Sequence, residues 1–432
     1  MKQRGKLLVI VGSLVLVLVL ALTPLLGGCA AEKGPIKIGF AAAQTGDIGP
    51  WWPGCERMGK MVVDLINEDP PLGRPLQVIT SDTESSPDGA VEVANYLGGQ
   101  GVVFAVGYTS DGIWAALPVI ERYGTPTFTH WSGTSKLDKT SAGEGRLFFR
   151  CCASDSEMAY LYGLYWEDEL APQDYNKVAF MYGTDEASRC TAGFAQESLA
   201  KAGADIVLVK EFAGEQATFS RLLSEVFAAE PDAIFLGCGV EQGSIIMKEW
   251  WDSSLSKDIL WLVPDEWPTP EAVAAIVPEA GALDNKMIAP NPASGEAAEE
   301  FIGGAYSKML SAYTAAYPSE TDVEHAFVPA FYDSIVIGAL AIQAAGEATQ
   351  EAVSEFVPKV ACPPGVKVYS YQEGKVALDA GEEINYEGAG SVCDFDAYGN
   401  IYPACSAYML VNGKFQQIVV YSPDVVKAFI SR

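Results

Sequence analysis

Two polar stretches hold the side chains best placed to do chemistry: Thr109-Ser110 and Thr129-His130-Trp131-Ser132-Gly133-Thr134. His130 and Ser132 are the pair a secreted hydrolase would use, an imidazole to take a proton and a hydroxyl to attack. Two residues apart on an extended segment they share a face, but no acid is at hand to orient the base. The same hydroxyls, with the free N–H groups of a helix start, can instead hold a polar molecule without reacting with it.

The elements that position these residues read clearly. Val102–Val106 is a short apolar, β-branched run, as expected of a strand buried on both faces of a parallel sheet. A polar turn (107–112), a helix over 113–123 stopped by Gly124, and a strand from Pro126 to Phe128 complete a β–loop–α–β unit. Both hydroxyl loops therefore lie at the same end of the sheet, outside the carboxyl ends of the strands, where ligands sit in open α/β folds.

Across its 432 residues the chain carries a formal net charge of −28, which disfavours nucleic acid and anionic lipid headgroups as partners. Lys2, Arg4 and Lys6 precede an apolar run from Leu7 to Leu26, followed by Gly27-Gly28-Cys29. That is the order of a secretory signal over 1–28. The small-small-Cys ending is similar to a lipobox, with acylation expected at Cys29, a tether over 29–35 and the rest outside the cytoplasmic membrane. A plain transmembrane anchor is the alternative, since the run approaches spanning length. Eight further cysteines remain, and in an exported chain a bridge is expected among Cys362, Cys393 and Cys405. With two histidines and no C-x-x-C, no metal site and no cofactor are expected.

Other motifs fall short. Gly237-Cys-Gly-Val-Glu-Gln-Gly243 resembles a dinucleotide fingerprint, but its third glycine comes one position late. Asp394-Phe-Asp-Ala-Tyr-Gly-Asn400 opens like a calcium loop and lacks the closing glutamate, so a structural turn is expected. His325 falls in an expected helix as an ordinary histidine.

Along the chain, strands at 36–42, 76–80, 177–182, 205–211, 232–237 and 259–263 alternate with helices, which predicts parallel sheets and right-handed crossovers. Signal, lipobox, the strand Ile36-Lys-Ile-Gly-Phe40 with its Thr-Gly loop, and two βα domains together resemble a known family. It is the extracytoplasmic solute-binding proteins of ABC importers for branched-chain amino acids and amides. Further echoes are Val106-Gly-Tyr-Thr-Ser110, Ile120-Glu-Arg-Tyr-Gly-Thr-Pro126, Phe331-Tyr-Asp333 and Glu383-Ile-Asn-Tyr-Glu-Gly388.

The resemblance implies an α/β fold of two Rossmann-like lobes with parallel central sheets joined by three hinge crossovers, the type I periplasmic binding protein. One lobe would hold 36–153 and 287–365, the other 154–286 and 366–432. It implies a small ligand, an amino acid, amide or urea-like molecule, closed between the lobes and passed to an ABC permease by a lipid-anchored monomer. A ligand-sensing receptor module of the same fold is the alternative to transport.

Carried over by position, Thr109, Ser110, Ser132 and Thr134 would grip a carboxylate or amide. Trp51 or Trp52 would cover the cleft. Thr184, Ser188, Glu241, Asp265 and Glu266 fall at the matching strand ends of the second lobe, with Asp265 or Glu266 opposite an ammonium group. Asp111 departs from the pattern. It stands at the helix start where a carboxylate would bind, and either caps the helix from outside or repels an anion by about 1–4 kcal/mol at 4 Å. In the second case an amide, urea-like or cationic ligand fits better, and the Trp51-Trp52 pair would suit a cation.

Overall fold

The computed structural model describes residues 34–139, 146–213, 216–276, 283–293, 299, 301, 303–321, 323 and 327–432. The expected signal at 1–28, Cys29 and His325 lie outside the described residues. The chain begins β1 (Ile36–Ala42), α1 (Trp52–Glu68), β2 (Leu76–Asp82), α2 (Pro87–Gln100), β3 (Ala105–Gly107), α3 (Ser110–Tyr123), β4 (Thr127–Thr129) and β5 (Phe148–Arg150). It continues through α4 (Asp155–Tyr165), β6 (Lys177–Gly183), α5 (Glu186–Lys201), β7 (Asp205–Phe212), α6 (Ser220–Phe227), β8 (Ala233–Gly237) and α7 (Val240–Asp252). β9 (Leu260–Leu262), α8 (Pro270–Ile276), β10 (Met287–Pro292), α9 (Ala305–Ala316), α10 (Phe327–Ala345) and α11 (Gln350–Ala361) come next. The last elements are β11 (Val366–Val368), α12 (Tyr371–Asp379), β12 (Ile384–Tyr386), β13 (Cys405–Val411), β14 (Lys414–Tyr421) and α13 (Pro423–Ile430).

Two sheets organise two lobes. The first is all parallel, in the order β2-β1-β3-β4-β5; the second is β14-β13-β10-β9-β8-β6-β7. The second is parallel from β10 to β7, but β13 runs antiparallel to β10 and β14 antiparallel to β13. Apolar residues on both faces of β1, β6 and β8 explain why these strands sit centrally. Helix α10 is long and apolar enough to cross a membrane, yet it is buried among first-lobe side chains as a core helix.

The second and third crossovers fall later than the sequence predicts. β10 pairs with β9, so the second lobe extends through Pro292 rather than ending at 286. Val368, Tyr371, Ile384, Tyr386 and Cys393 pack in the first-lobe core, so the chain returns to the second lobe near β13 and not at 366. The fixing contact is the buried carboxylate of Asp333 on α10. It accepts from the Tyr386 hydroxyl and from the Ala389 and Gly390 amides, each at 2.7 Å.

The expected bridge among Cys362, Cys393 and Cys405 does not form. All three are free, and each thiol donates to a carbonyl, of Phe395, Ser391 and Pro403 respectively. The segment 394–400 is a structural turn: Asp396 Oδ1 accepts from the Tyr398 and Asn400 amides at 2.7 and 2.9 Å.

Candidate functional site

The first-lobe wall of the site is set by a tight backbone approach. A Cβ on Gly107 would collide with the Ala41 carbonyl, and the following Tyr108 adopts φ +63°, a left-handed conformation costly for a bulky residue. The Tyr108 carbonyl accepts from Trp131 Nε1 at 2.9 Å and from Thr129 Oγ1 at 3.4 Å, which holds that turn in place. Its consequence is that α3 begins at Ser110, with its free amides at the carboxyl ends of β3 and β4.

On the other hydroxyl loop, the buried Arg150 guanidinium donates from Nη2 to the Thr134 carbonyl at 2.7 Å and from Nη1 to Asp138 Oδ1 at 2.8 Å. Asp138 Oδ2 accepts from Ser156 Oγ at 2.8 Å, which ties this loop to the start of α4 in the second lobe. Ser154 and Glu157 form a reciprocal cap on that helix, placing Asp155 at its first position.

Between the lobes lies a cleft of about 690 Å³, within the usual range for small-molecule sites. Ile48, Ser110, Asp111 and Thr134 line it from the first lobe. Asp155, Asp185, Ala187, Ser188, Cys190, Thr191, Cys238, Gly239, Glu241, Gln242, Pro264, Asp265 and Glu266 line it from the second. Ser135 Oγ and Cys190 Sγ, 2.9 Å apart, meet across it. Asp185 caps α5 by accepting from the Ser188 amide (2.9 Å) and hydroxyl (2.7 Å). The glycines at 237–243 serve packing: Gly243 leaves room for the Trp267 ring, whose Nε1 donates to the Cys238 carbonyl at 3.0 Å.

The electrostatics are one-sided. Six carboxylates line the cleft, and among the described residues no lysine or arginine does. Asp265 and Glu266 present surface to the cleft water, yet the walls strip away enough solvent to raise both. Burial, with the charge of Glu266, pushes Asp265 up to about 6, and burial beside Asp185 raises Glu266. Asp155 is pushed up to about 7 by burial and by Asp265, against the opposing pull of Arg150.

Of the residues singled out in the sequence, Ser110, Thr134, Ser188, Glu241, Asp265 and Glu266 come together on the cleft wall, and Asp111 faces it too. Five are not among the lining residues. Trp52 is buried in the first-lobe core against Phe331 (centroids 5.7 Å) and Trp131 (6.2 Å), because its ring follows the inner face of α1. Trp51 is 46% exposed beside it, and Ile48 takes the expected first-loop place on the wall. Thr109 stands before α3 as its N-cap position, Thr184 is solvent-exposed, and Ser132 is buried behind Ser110, their hydroxyls 3.5 Å apart.

The hydrolytic pair is not assembled. His130 is fully buried, stacked on Trp131 (4.2 Å) and edge-on to Phe331 (4.6 Å), with Nε2 at 3.5 Å from Cys55 Sγ. Burial drives its pKa well below the usual value, so the ring is neutral and faces core rather than solvent. Sequence reading missed Asp155, and it gave Asp185 no role of its own within the stretch Thr184–Ser188 that it placed at a strand end. The Ser154-x-x-Glu157 capping box was the available signal for the first, because it places a helix start at the crossover.

Residues 35–363 match the family model described as periplasmic binding protein. A Leu/Ile/Val-binding protein homolog from Brucella melitensis is 23% identical over 243 residues, 54% of this chain. The match spans 63% of that relative's length. Among solved structures, the leucine-binding protein LivK of Thermotoga maritima superposes with a TM-score of 0.68 at 19% identity, covering 90% of this chain and 99% of that one. LivJ of Streptococcus pneumoniae, in complex with isoleucine, gives 0.67 at 20% identity over 90% of this chain and 99% of its own.

Proposed function

We propose, from the premise that this chain belongs to the periplasmic binding protein family, that it captures a small polar solute between its lobes. It is a binding protein and not an enzyme. In this reading it lies outside the cytoplasmic membrane, anchored through an acylated Cys29, and delivers its solute as a monomer to an ABC permease. The observation that supports it most is the 690 Å³ cleft, built from strand ends and helix starts of both lobes at once. A ligand bound there bridges the lobes and favours their closed arrangement, a change a membrane partner can read. Ser110 and Thr134 would offer hydroxyls from one lobe, and Ser188, Glu241, Asp265 and Glu266 would complete the grip from the other.

A thermal-shift screen of the full chain against amino acids, amides, urea and amines tests this. A ligand at a hundredfold excess over its Kd adds about 2.7 kcal/mol, a rise of roughly 5–10 °C for domains of this size. No shift with any compound would contradict it.

A further inference from the structure

With the cleft taken as the solute site, a reading on which the ligand's chemistry depends, we propose that it holds an organic cation. The ligand has two or more protonated nitrogens and no carboxylate, a linear diamine or polyamine. Asp111 would hold it from the first lobe, with Asp185, Glu241, Asp265 and Glu266 opposite.

Charge accounting leads there. Starts of α3, α4, α5 and α7 point at the cleft, and each helix N-terminus contributes about +0.5 of a charge. Together they give about +2, the field that would attract a carboxylate. Each start carries its own acid, Asp111, Asp155, Asp185 and Glu241 in turn, and Asp265 and Glu266 bring the lining to six. The sum stays strongly negative, and Arg150 is already engaged by Asp138 and the Thr134 carbonyl behind the wall. A zwitterion would set its carboxylate beside Asp111 with no cation to meet it.

Acids stand on both walls, Asp111 on the first and five on the second, and a chain of amines can meet several of them at once. A metal ion is the other way to neutralise carboxylates, but it needs its ligands gathered at one point. Among the described residues no three acidic, histidine or cysteine side chains converge closely enough for that. The acids are spread along a cleft, which matches an extended cation. Burial first, and then a neighbouring acid, raises Asp155, Asp265 and Glu266, so a cation bound among them would lower all three.

The test is calorimetric titration of the full chain, in mild detergent and 150 mM salt, with putrescine, spermidine, leucine, glycinamide and calcium chloride. The expected result is saturable binding of one amine per chain, at least a hundredfold tighter than leucine. Asp111→Asn and Asp265→Asn should each weaken it at least tenfold while leaving the ligand-free melting temperature within a few degrees. Diffuse, unsaturable amine binding that both variants retain would reveal only attraction to an acidic surface and overturn the proposal. Calcium bound in preference to amines would also overturn it. Tighter binding of leucine or glycinamide would end the cation proposal and leave the solute-binding reading standing.

Discussion

The Asp155 amide donates to the Gly133 carbonyl at 2.7 Å, and the Asp155 carboxylate lies so near Gly133 that a Cβ there would overlap Oδ1. One acid of the cleft is thus seated at the first crossover against a position where a side chain fits only if that carboxylate moves. Gly133→Ala should displace Asp155 and cost about 1–3 kcal/mol by overpacking. Melting temperature should fall by several degrees and ligand affinity should drop with it. An unchanged affinity would separate Asp155 from binding.

Acidity should act on stability and binding in opposite directions. Asp155 (about 7), Asp265 (about 6) and the core carboxyls Glu157 (about 8) and Asp333 (about 6) all hold protons more tightly folded than unfolded. Between pH 5 and 8 the folded state therefore binds more protons, so stability falls as pH rises. The lowered carboxyls Asp82, Glu225 and Glu373 act near and below pH 4, outside this window. Buried neutral His130 acts inside it with the opposite sign, because its ring takes up a proton below about 6.5 only when unfolded, and one such group offsets part of the effect of the four raised carboxyls. Melting temperature without ligand should decline from pH 5 to 8, while affinity for a cation should climb as Asp155, Asp265 and Glu266 ionise among Asp111, Asp185 and Glu241, with Arg150 opposing at Asp155. Parallel melting and titration series check both signs.

Asp333 should matter to the fold rather than to the ligand. Asp333→Ala leaves the Tyr386 hydroxyl, the buried Ala389 amide and the half-buried Gly390 amide without their shared acceptor, at a cost of about 3–5 kcal/mol. Chemical denaturation should report that loss, and protein that stays folded should bind with wild-type affinity.

His130→Ala removes a ring packed between Trp131 and Phe331. It should cost about 2–4 kcal/mol by analogy with other large-to-small core changes and leave ligand affinity within twofold. A turnover that disappears in this variant would instead favour hydrolysis.

Much of the fold was legible in the sequence where local pattern and environment agree. β1 reads as Ile36–Ala42 because its apolar run is buried on both faces, and Glu241, Asp265 and Glu266 follow strands whose ends had to open onto the cleft. Trp52 misled because an aromatic beside Pro and Gly reads as loop, whereas it opens α1 and turns into the core. The third crossover misled because Val366–Val368 looks like a strand of the second sheet. It pairs instead with Ile384–Tyr386 under α10, a choice made by Asp333 from far along the chain. The approach of Asp155 to Asp265 was invisible, since the first crossover brings them together, and so was that of Asp185 at the α5 cap to Glu266.

Hydrogen–deuterium exchange with and without the tightest amine tests the central claim most directly. Protection should appear together at 108–112 and 134–136 on one lobe and at 185–191, 239–242 and 264–266 on the other. Protection confined to one lobe, or centred on the separate groove lined by Phe356, Lys359 and Ile384, would contradict a ligand held between the lobes.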